Sequence, residues 1–585
     1  MDNPAIILNH IGFRSDARKT AYVDLDSTDI FHIERLQDCL FIEVFSGSLI
    51  SSGDSKDSRR VADFTQLNVE GIYRIRVGNR NSRIFVIQDS LDLHILRTLF
   101  NFVTLQSCGS DLGWNGPCHL DDSILLGSGE NRSLVGGFHQ SSDLRKWSWG
   151  ISLGMIGLIQ FALNQDPLWN KGEIEREIRN GCDFYLRLIL DDGSLIDSVF
   201  VPVDASGNSL DRHDPEHLAI HGVGYQDYSL LWNRREYYER PTASPAHWFT
   251  IRFLCLASRY FSPIDLVFGK ECLAGAERIW KFMEEKASST YNFKIALFPP
   301  LGHEPLNKWW TPLYEGSAIE LAGRACAGIE LAAAKQSEAY DLVIKESLDA
   351  LCDLQITGTG LLVDGSFWEG NRERLANNYH YFYTTSVPTS LYMAIEELDG
   401  RIDTQRWKNA LRVIADQYVA IGRTNTFGRI QGTIFTEDVF EQGANFSFSE
   451  ELADSKPVNY SAGEINGTQF SYKYFSFCYN LDLAAAGIVL KKAATILGDF
   501  GYLGAAQNQI DWIMGSNPFD ASSIEGLGYN NPHRGVFGEF FPPVPQIPGG
   551  VYTGITDQAF TEEAYGLECE YDLPETTWLM HLLSI

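Results

Sequence analysis

Positive charge, paired cysteines and long apolar runs are all scarce in this chain of 585 residues. Lys and Arg number 47 against 76 Asp and Glu, a formal net charge of −29. Nucleic acid and anionic membrane surfaces are bound through basic patches, so the deficit argues against both as partners. It tolerates a neutral substrate and would attract a cationic one. The ten cysteines are scattered, with no CxxC pair, which suits reduced thiols in a cytoplasm better than a disulfide framework. The start, Met1-Asp2-Asn3-Pro4, carries no basic region, and no uninterrupted apolar run is long enough to span a bilayer. A cytoplasmic protein is the expectation. Low-complexity tracts are missing too, and nothing in the sequence speaks to oligomeric state.

Aromatic residues, by contrast, are plentiful: 13 Trp, 25 Tyr and 35 Phe. Their faces suit the flat C–H patches of sugar rings, but they also fill large helical cores, and composition alone favours the core. The length exceeds what one hydrophobic core usually supports, so at least two domains are expected.

Residues 1–90 read as β-structure. Ile6-Ile7-Leu8, Thr20–Val23 and Phe41–Phe45 are short apolar runs. In Gly71–Gly78, Tyr73, Ile75 and Val77 alternate with Arg74 and Arg76, the period of a strand with one buried face. Arg83–Ile87 follows across a short turn as a hairpin partner. Short strands separated by turn signals suggest a β-sandwich. From residue 91 to 585 the spacing becomes helical. Candidate helices are Leu91–Phe102, Trp149–Leu163, Gly172–Leu190, Pro245–Tyr260, Ser317–Lys335, Thr385–Leu398, Gln405–Ile421, Tyr472–Leu497, Tyr502–Met514 and Pro574–Leu583. Several are apolar almost all round and must be buried between others, which implies a layered all-α body such as a double ring of helices. The long loops 191–243 and 422–470 are expected to be functional. With other inter-helix segments they hold Trp232, Trp309, Trp310, Tyr379, Tyr381 and Tyr383, candidates for the walls of a sugar cleft.

Three loop segments carry candidate chemistry. One runs from Cys108-Gly109 to Cys118-His119 and on to Gly136-Gly137-Phe138-His139-Gln140-Ser141-Ser142-Asp143, with Trp147 beyond. Its glycines allow a tight turn and close backbone approach. Cys108, Cys118, His119 and His139 form the two-thiol, two-imidazole set that a tetrahedral zinc site uses, though not at zinc-finger spacing. The second is Gly515-Ser516-Asn517-Pro518 with Gly526-Leu527-Gly528 and Pro532-His533-Arg534. The third is Glu568-Cys569-Glu570-Tyr571-Asp572-Leu573-Pro574, just before the last helix.

These segments resemble glycoside hydrolase family 9, in the subgroup with an N-terminal immunoglobulin-like domain. Leu8-Asn9-His10-Ile11-Gly12-Phe13 looks like that domain's opening "vNQvGY", and Ala62-Asp63-Phe64 with Gly71-Ile72-Tyr73-Arg74 looks like its ending. The second segment is similar to "LGxNP…GFG…PHHR". Gly136–Asp143 matches "GGWHDAGD" in length, and Cys569–Trp578 resembles "CEYWTPHTAW".

The resemblance implies a β + α multidomain enzyme: an immunoglobulin-like β-sandwich over 1–90, then an (α/α)6 barrel over 91–585. It implies Asp143 as catalytic base and Glu570 as catalytic acid, with Glu568 as the register alternative. His533 and Arg534 would bind substrate hydroxyls, and Trp147, Tyr571, Trp310 and Tyr381 would line the sugar site. A structural zinc on Cys108, Cys118, His119 and His139 is expected beside the base loop. Calcium is a second candidate ion, and no organic cofactor is expected.

Hydrolysis of a glycosidic bond needs an acid for the leaving oxygen and a base for the attacking water. For inversion the two carboxyl groups should stand ~6.5–9.5 Å apart, and the acid should hold its proton near neutral pH. One departure stands out. The family's first Asp, which helps hold the water, is Gln140 here; an amide can still hydrogen-bond water but cannot deprotonate it. The expected activity is hydrolysis of β-1,4-linked oligosaccharides. Release of glucosamine by an exo-β-D-glucosaminidase is the first reading, from the "CEY-x-x-P" form of the acid segment. An endo-β-1,4-glucanase or cellodextrinase is the second, and a catalytically weak glycan-binding protein is the reading of another class.

Overall fold

The computed structural model describes residues 5–585 apart from the longer stretches 110–119, 126–130, 165–170, 201–227, 231–243, 288–293, 297–309, 437–459, 473–478, 533–546 and 556–569, and short gaps that include 142–145 and 377–381. Nine strands form the N-terminal unit: β1 (Ile6–Leu8), β2 (Thr20–Val23), β3 (Ile30–Gln37), β4 (Leu40–Ser48), β5 (Ile50–Ser51), β6 (Arg60–Asp63), β7 (Gly71–Val77), β8 (Arg80–Asn81) and β9 (Phe85–Ile87). They pair as two sheets, β1-β2-β6-β5 and β4-β3-β7-β8, with β9 also on β7. Tyr73, Ile75 and Val77 are buried between the sheets with Phe31, Ile33 and Phe85, as the alternation in β7 requires. Periodicity overlooks β3, β5, β6 and β8, and the longest of them is β3. Its Glu34 looks like a surface residue but lies buried under Arg74 and Arg76, at 2.7 and 2.6 Å across the ladder. The cross-strand ion pairs disguise a central strand as a charged loop.

Twelve helices among the described residues build the second unit: α1 (Leu91–Leu105), α2 (Ser148–Asn164), α3 (Lys171–Leu188), α4 (Ser244–Phe261), α5 (Leu266–Ala287), α6 (Ala318–Lys335), α7 (Asp341–Asp353), α8 (Val387–Leu398), α9 (Gln405–Gly422), α10 (Tyr479–Leu497), α11 (Tyr502–Ile513) and α12 (Leu573–Ser584). The even-numbered helices each pack on the next, α2 on α4, α6, α8 and α10 in turn, and α12 closes the ring between α10 and α2. The odd-numbered ones lie outside. This is an (α/α)6 barrel, and the helices apolar almost all round, such as α2, α10 and α12, are the inner ones. Two outer helices, α5 and α7, escape the sequence reading because one carries internal glycines and the other has five charged residues in thirteen. The expected helix from Tyr472 begins only at Tyr479; Thr468–Tyr472 is instead a strand paired to Tyr460–Ile465 and Ile434–Thr436.

Small residues set the seam where the ring closes. A Cβ on Gly157 would stand 2.8 Å from Thr577 of α12, and one on Gly154 2.8 Å from Leu573, so α2 and α12 approach as only glycine permits. Trp578 fills the seam and donates its indole N–H to the Leu153 carbonyl at 3.0 Å.

The two units are clamped by the segment Asn9-His10. Asn9 donates to Asp511 of α11 at 2.9 Å, and burial pushes that carboxyl up to about 6 against the donated bonds of Asn9 and Gln507. His10 pairs with Asp520 at 2.9 Å and stacks on Tyr529 at 3.4 Å, while the Arg83 guanidinium covers the other side of the Tyr529 ring at 3.5 Å. The residues that resemble the domain's opening motif are thus the joint between domains.

Candidate active site

The glycine-rich segment on either side of Asp143, the expected base, is anchored at both ends. Ser107 bridges Phe138, the Cys108 amide donates to the Gly137 carbonyl at 2.8 Å, and the His139 amide donates to the Gln106 carbonyl at 2.9 Å. Gly136 and Gly137 both take left-handed φ, +84° and +74°, and a Cβ on Gly137 would stand 2.6 Å from Phe184, so this turn needs glycine twice over. Asn180 of α3 clasps Gly137 from both sides, accepting from its N–H at 3.0 Å and donating to its C=O at 2.9 Å. At the far end the buried Lys146 ammonium donates to the carbonyls of Leu134 and Gly136 at 2.7 and 3.3 Å. Asp143 falls between these anchors, at 142–145, outside the described residues.

The opposite wall is a two-stranded ribbon, β10 (Val551–Tyr552) with β11 (Tyr571–Asp572). The ladder continues through the Thr553 amide to the Glu570 carbonyl at 2.8 Å. Side chains alternate along a strand. Tyr571 turns to one face, where its ring meets Phe102 at 5.1 Å and Tyr552 at 6.4 Å in a small hydrophobic cluster. Glu570 and Asp572 share the other face. The expected role of Tyr571 as a sugar contact is therefore corrected: alternation sends the ring into the core because its neighbour is the one facing the loop.

The two walls meet directly. Ser141 bridges Asp572, and the Leu573 amide donates to the Gln140 carbonyl at 2.8 Å. Glu570 is 5% exposed and Asp572 2%, so this junction is nearly dry. The Gln140 side-chain amide donates to Asp572 Oδ2 at 3.0 Å, and its Oε1 lies against Gly150, where a Cβ would stand only 1.9 Å away. Gln140 thus donates to the carboxylate that precedes α12. One turn along α12, Glu575 is wholly buried with neither oxygen hydrogen-bonded among the described residues. Burial first, then the charges of Asp572, Glu570 and Asp482, pushes its carboxyl well above the usual range. Asp572, Glu575, Asn180 and Lys146 are site residues that sequence reasoning missed; the Asp-x-x-Glu spacing ahead of an apolar helix was the one available signal, and it reads as an ordinary helix cap.

The other expected residues fall as follows. Trp147 is 7% exposed, its ring 6.2 Å from Trp149, and presents no open face. Tyr383 is buried in the barrel against Phe367. Trp310 begins a short strand paired with Lys294–Ala296, its side chain outside the described residues. Cys108 and His139 are buried on the adjoining segments 106–108 and 137–139. Cys118, His119, Tyr381, His533, Arg534 and Glu568 lie outside the described residues, as do Trp232, Trp309 and Tyr379. The described chain leads up to His533 through the clamped Tyr529 and through Asn531, which donates to the Ser522 and Ile524 carbonyls at 3.0 and 2.8 Å.

Comparison with known proteins agrees with this architecture. Residues 94–536 match the glycosyl hydrolase family 9 description and residues 2–82 the cellulase N-terminal ig-like domain. Endoglucanase D of Acetivibrio thermocellus is 21% identical over 587 residues, covering 96% of this chain and 80% of that protein. A cellodextrinase of Butyrivibrio fibrisolvens is 24% identical over 165 residues, covering 26% of this chain and 29% of that one. The solved structure of a Bacteroides ovatus GH9 protein superposes with a TM-score of 0.68 at 17% identity, covering 100% of this chain and 98% of that one. The activities named among these relatives are those of an endoglucanase and a cellodextrinase.

Proposed function

Because the chain belongs to glycosyl hydrolase family 9 and is a glycosidase with an N-terminal Ig-like domain, we propose that it hydrolyses β-1,4-linked glucan chains with inversion. In this reading Glu570 is the general acid and Asp143 the general base. One observation carries it: the Ser141–Asp572 bridge and the Leu573–Gln140 hydrogen bond pin the start of the base loop to the acid strand. In this reading the acid reaches the glycosidic oxygen from the buried ribbon, and the base belongs to the loop whose start is pinned to that ribbon. Water held between them is deprotonated as the leaving oxygen is protonated. The test is product analysis with cello-oligomers and glucosamine oligomers offered separately. Turnover of cello-oligomers is expected; turnover of glucosamine oligomers alone would restore the exo-glucosaminidase reading, and binding without hydrolysis of either would favour a glycan-binding protein.

A structural zinc on Cys108, Cys118, His119 and His139 is part of the proposal. Two of the four are supported by placement, since the 107/138 bridge brings a buried thiol and a buried imidazole onto neighbouring segments. The ion would supply a closed tetrahedral crosslink that leaves no open position for catalysis. Protein purified without chelator is expected to contain one zinc per chain, and Cys108→Ser to lose it together with thermal stability; a metal-free, fully active preparation would remove the assignment. No disulfide joins any of the seven described cysteines.

A further inference from the structure

Three carboxyl groups crowd the junction of β11 and α12: Glu570, Asp572 and Glu575, all nearly or fully buried. Three negative charges cannot be held together in such a place, so protons distribute among them. Where the negative charge settles depends on the donors each group meets. Asp572 receives the Gln140 amide at 3.0 Å and stands at the N-cap of α12, the end of a helix that favours an anion. Neither oxygen of Glu575 is hydrogen-bonded to another described residue, and only its own backbone N–H favours the charged form. It occupies the third position of the helix, where an Asp-x-x-Glu pair would form a reciprocal cap, yet no side-chain cap bond forms. Its carboxyl is best kept neutral. Glu570 and Asp572, two apart on an extended segment, face the same side.

Other charges among the described residues come from the packed helices. Helix α2 (Ser148–Asn164) contributes no ionisable residue to its packing on α12, α10 contributes Asp482 and, at the far end of α12, Lys491 on the Leu582 and Ile585 carbonyls, and the strongest charges acting on Glu575 are all negative. Further along α12 the next ionisable group is His581. From the base loop comes Asp143, outside the described residues.

We propose that Asp572, held ionised by the Gln140 amide, is the positioning residue that keeps the proton on the general acid Glu570. The carboxylate that the family resemblance leads one to expect at position 140 is then present across the bridge, with an amide where the acid would have been. A general acid must enter each turnover protonated, and a fixed anion on the same face of the strand opposes its ionisation. Because the anion sits at 572, the swap at 140 serves the acid half of the reaction. This deepens the proposed function and rests on Glu570 being the acid.

The test is the pH dependence of kcat/KM on whichever oligomer series the enzyme turns over. The alkaline limb reports the acid of the free enzyme, which must be protonated to work. Asp572→Asn removes the anion, so Glu570 ionises at lower pH and the limb should move down by about one pH unit. At a pH above the limb that is about a tenfold loss, while activity on the acid side is retained. Gln140→Met leaves Asp572 without its donor and should move the limb the same way by less. Glu575→Gln replaces one neutral group by another and should leave the limb in place. An unmoved limb in folded Asp572→Asn would overturn the proposal, as would a limb that moves in Glu575→Gln. Should Asp572→Asn fail to fold, Gln140→Met decides by the same criterion. Wild-type activity in Glu570→Gln would remove the acid assignment itself, a failure distinct from an unmoved limb and one that takes this proposal with it.

Discussion

Glu570→Gln is expected to lower kcat on oligosaccharides by about 10²–10⁴-fold with the fold intact, and Asp143→Asn to do the same. Glutamine matches the size of the glutamate but carries no proton acidic enough for the leaving oxygen; asparagine cannot take the proton of the attacking water. The two losses should differ in character. An aryl glycoside with an acidic phenol leaves without help, so Glu570→Gln should recover much of its rate on such a substrate. Asp143→Asn should not, because its step is the same whatever departs. Steady-state kinetics on both substrate types reads the difference. Recovery in neither variant, or in both equally, would contradict the assigned roles.

Trp578→Ala is expected to cost about 3–5 kcal/mol, the range for deleting a large buried aromatic. Trp578 is among the largest fully enclosed side chains, and its indole N–H satisfies the Leu153 carbonyl of α2. Truncation would leave a void in the one seam where the first and last inner helices meet, and glycines at 154 and 157 hold that seam too close for another side chain to move in. The ribbon with Glu570 leads straight into α12, so loosening the seam displaces the acid as well. Thermal melting followed by tryptophan fluorescence should show the loss, with activity falling below the wild-type value well under the new midpoint. Trp578→Phe, which keeps most of the volume, should cost less; equal stability of the alanine variant and wild type would show that the seam does not carry the barrel.

The fold was legible where one physical constraint dominates. β7 must bury alternate residues, and α2, α10 and α12 are apolar almost all round because the ring encloses most of each. Legibility failed where long-range partners compensate for a local signal. Glu34 makes sense only with Arg74 and Arg76 across the sheet. The site divides in the same way. Glycine pairs, the Glu570 segment and Asn9-His10 are compact motifs that can be read along the chain. The Gln140–Asp572 hydrogen bond joins residues 432 apart, and no local pattern announces it. Tyr571 was misjudged because its neighbourhood in sequence suggested the site, whereas strand alternation places it on the other face, against Phe102. Which sugar is cleaved was least legible, since the two carboxylates proposed as acid and base would specify the reaction and not the hydroxyl or amine at the next ring position.

The measurement that bears most directly on the central claim is proton NMR of the first sugar released from a cello-oligomer, recorded before mutarotation. An acid and a base that act on opposite faces through one water predict the α-anomer as the initial product. An initial β-anomer would mean a covalent intermediate and would contradict the roles given to Asp143 and Glu570.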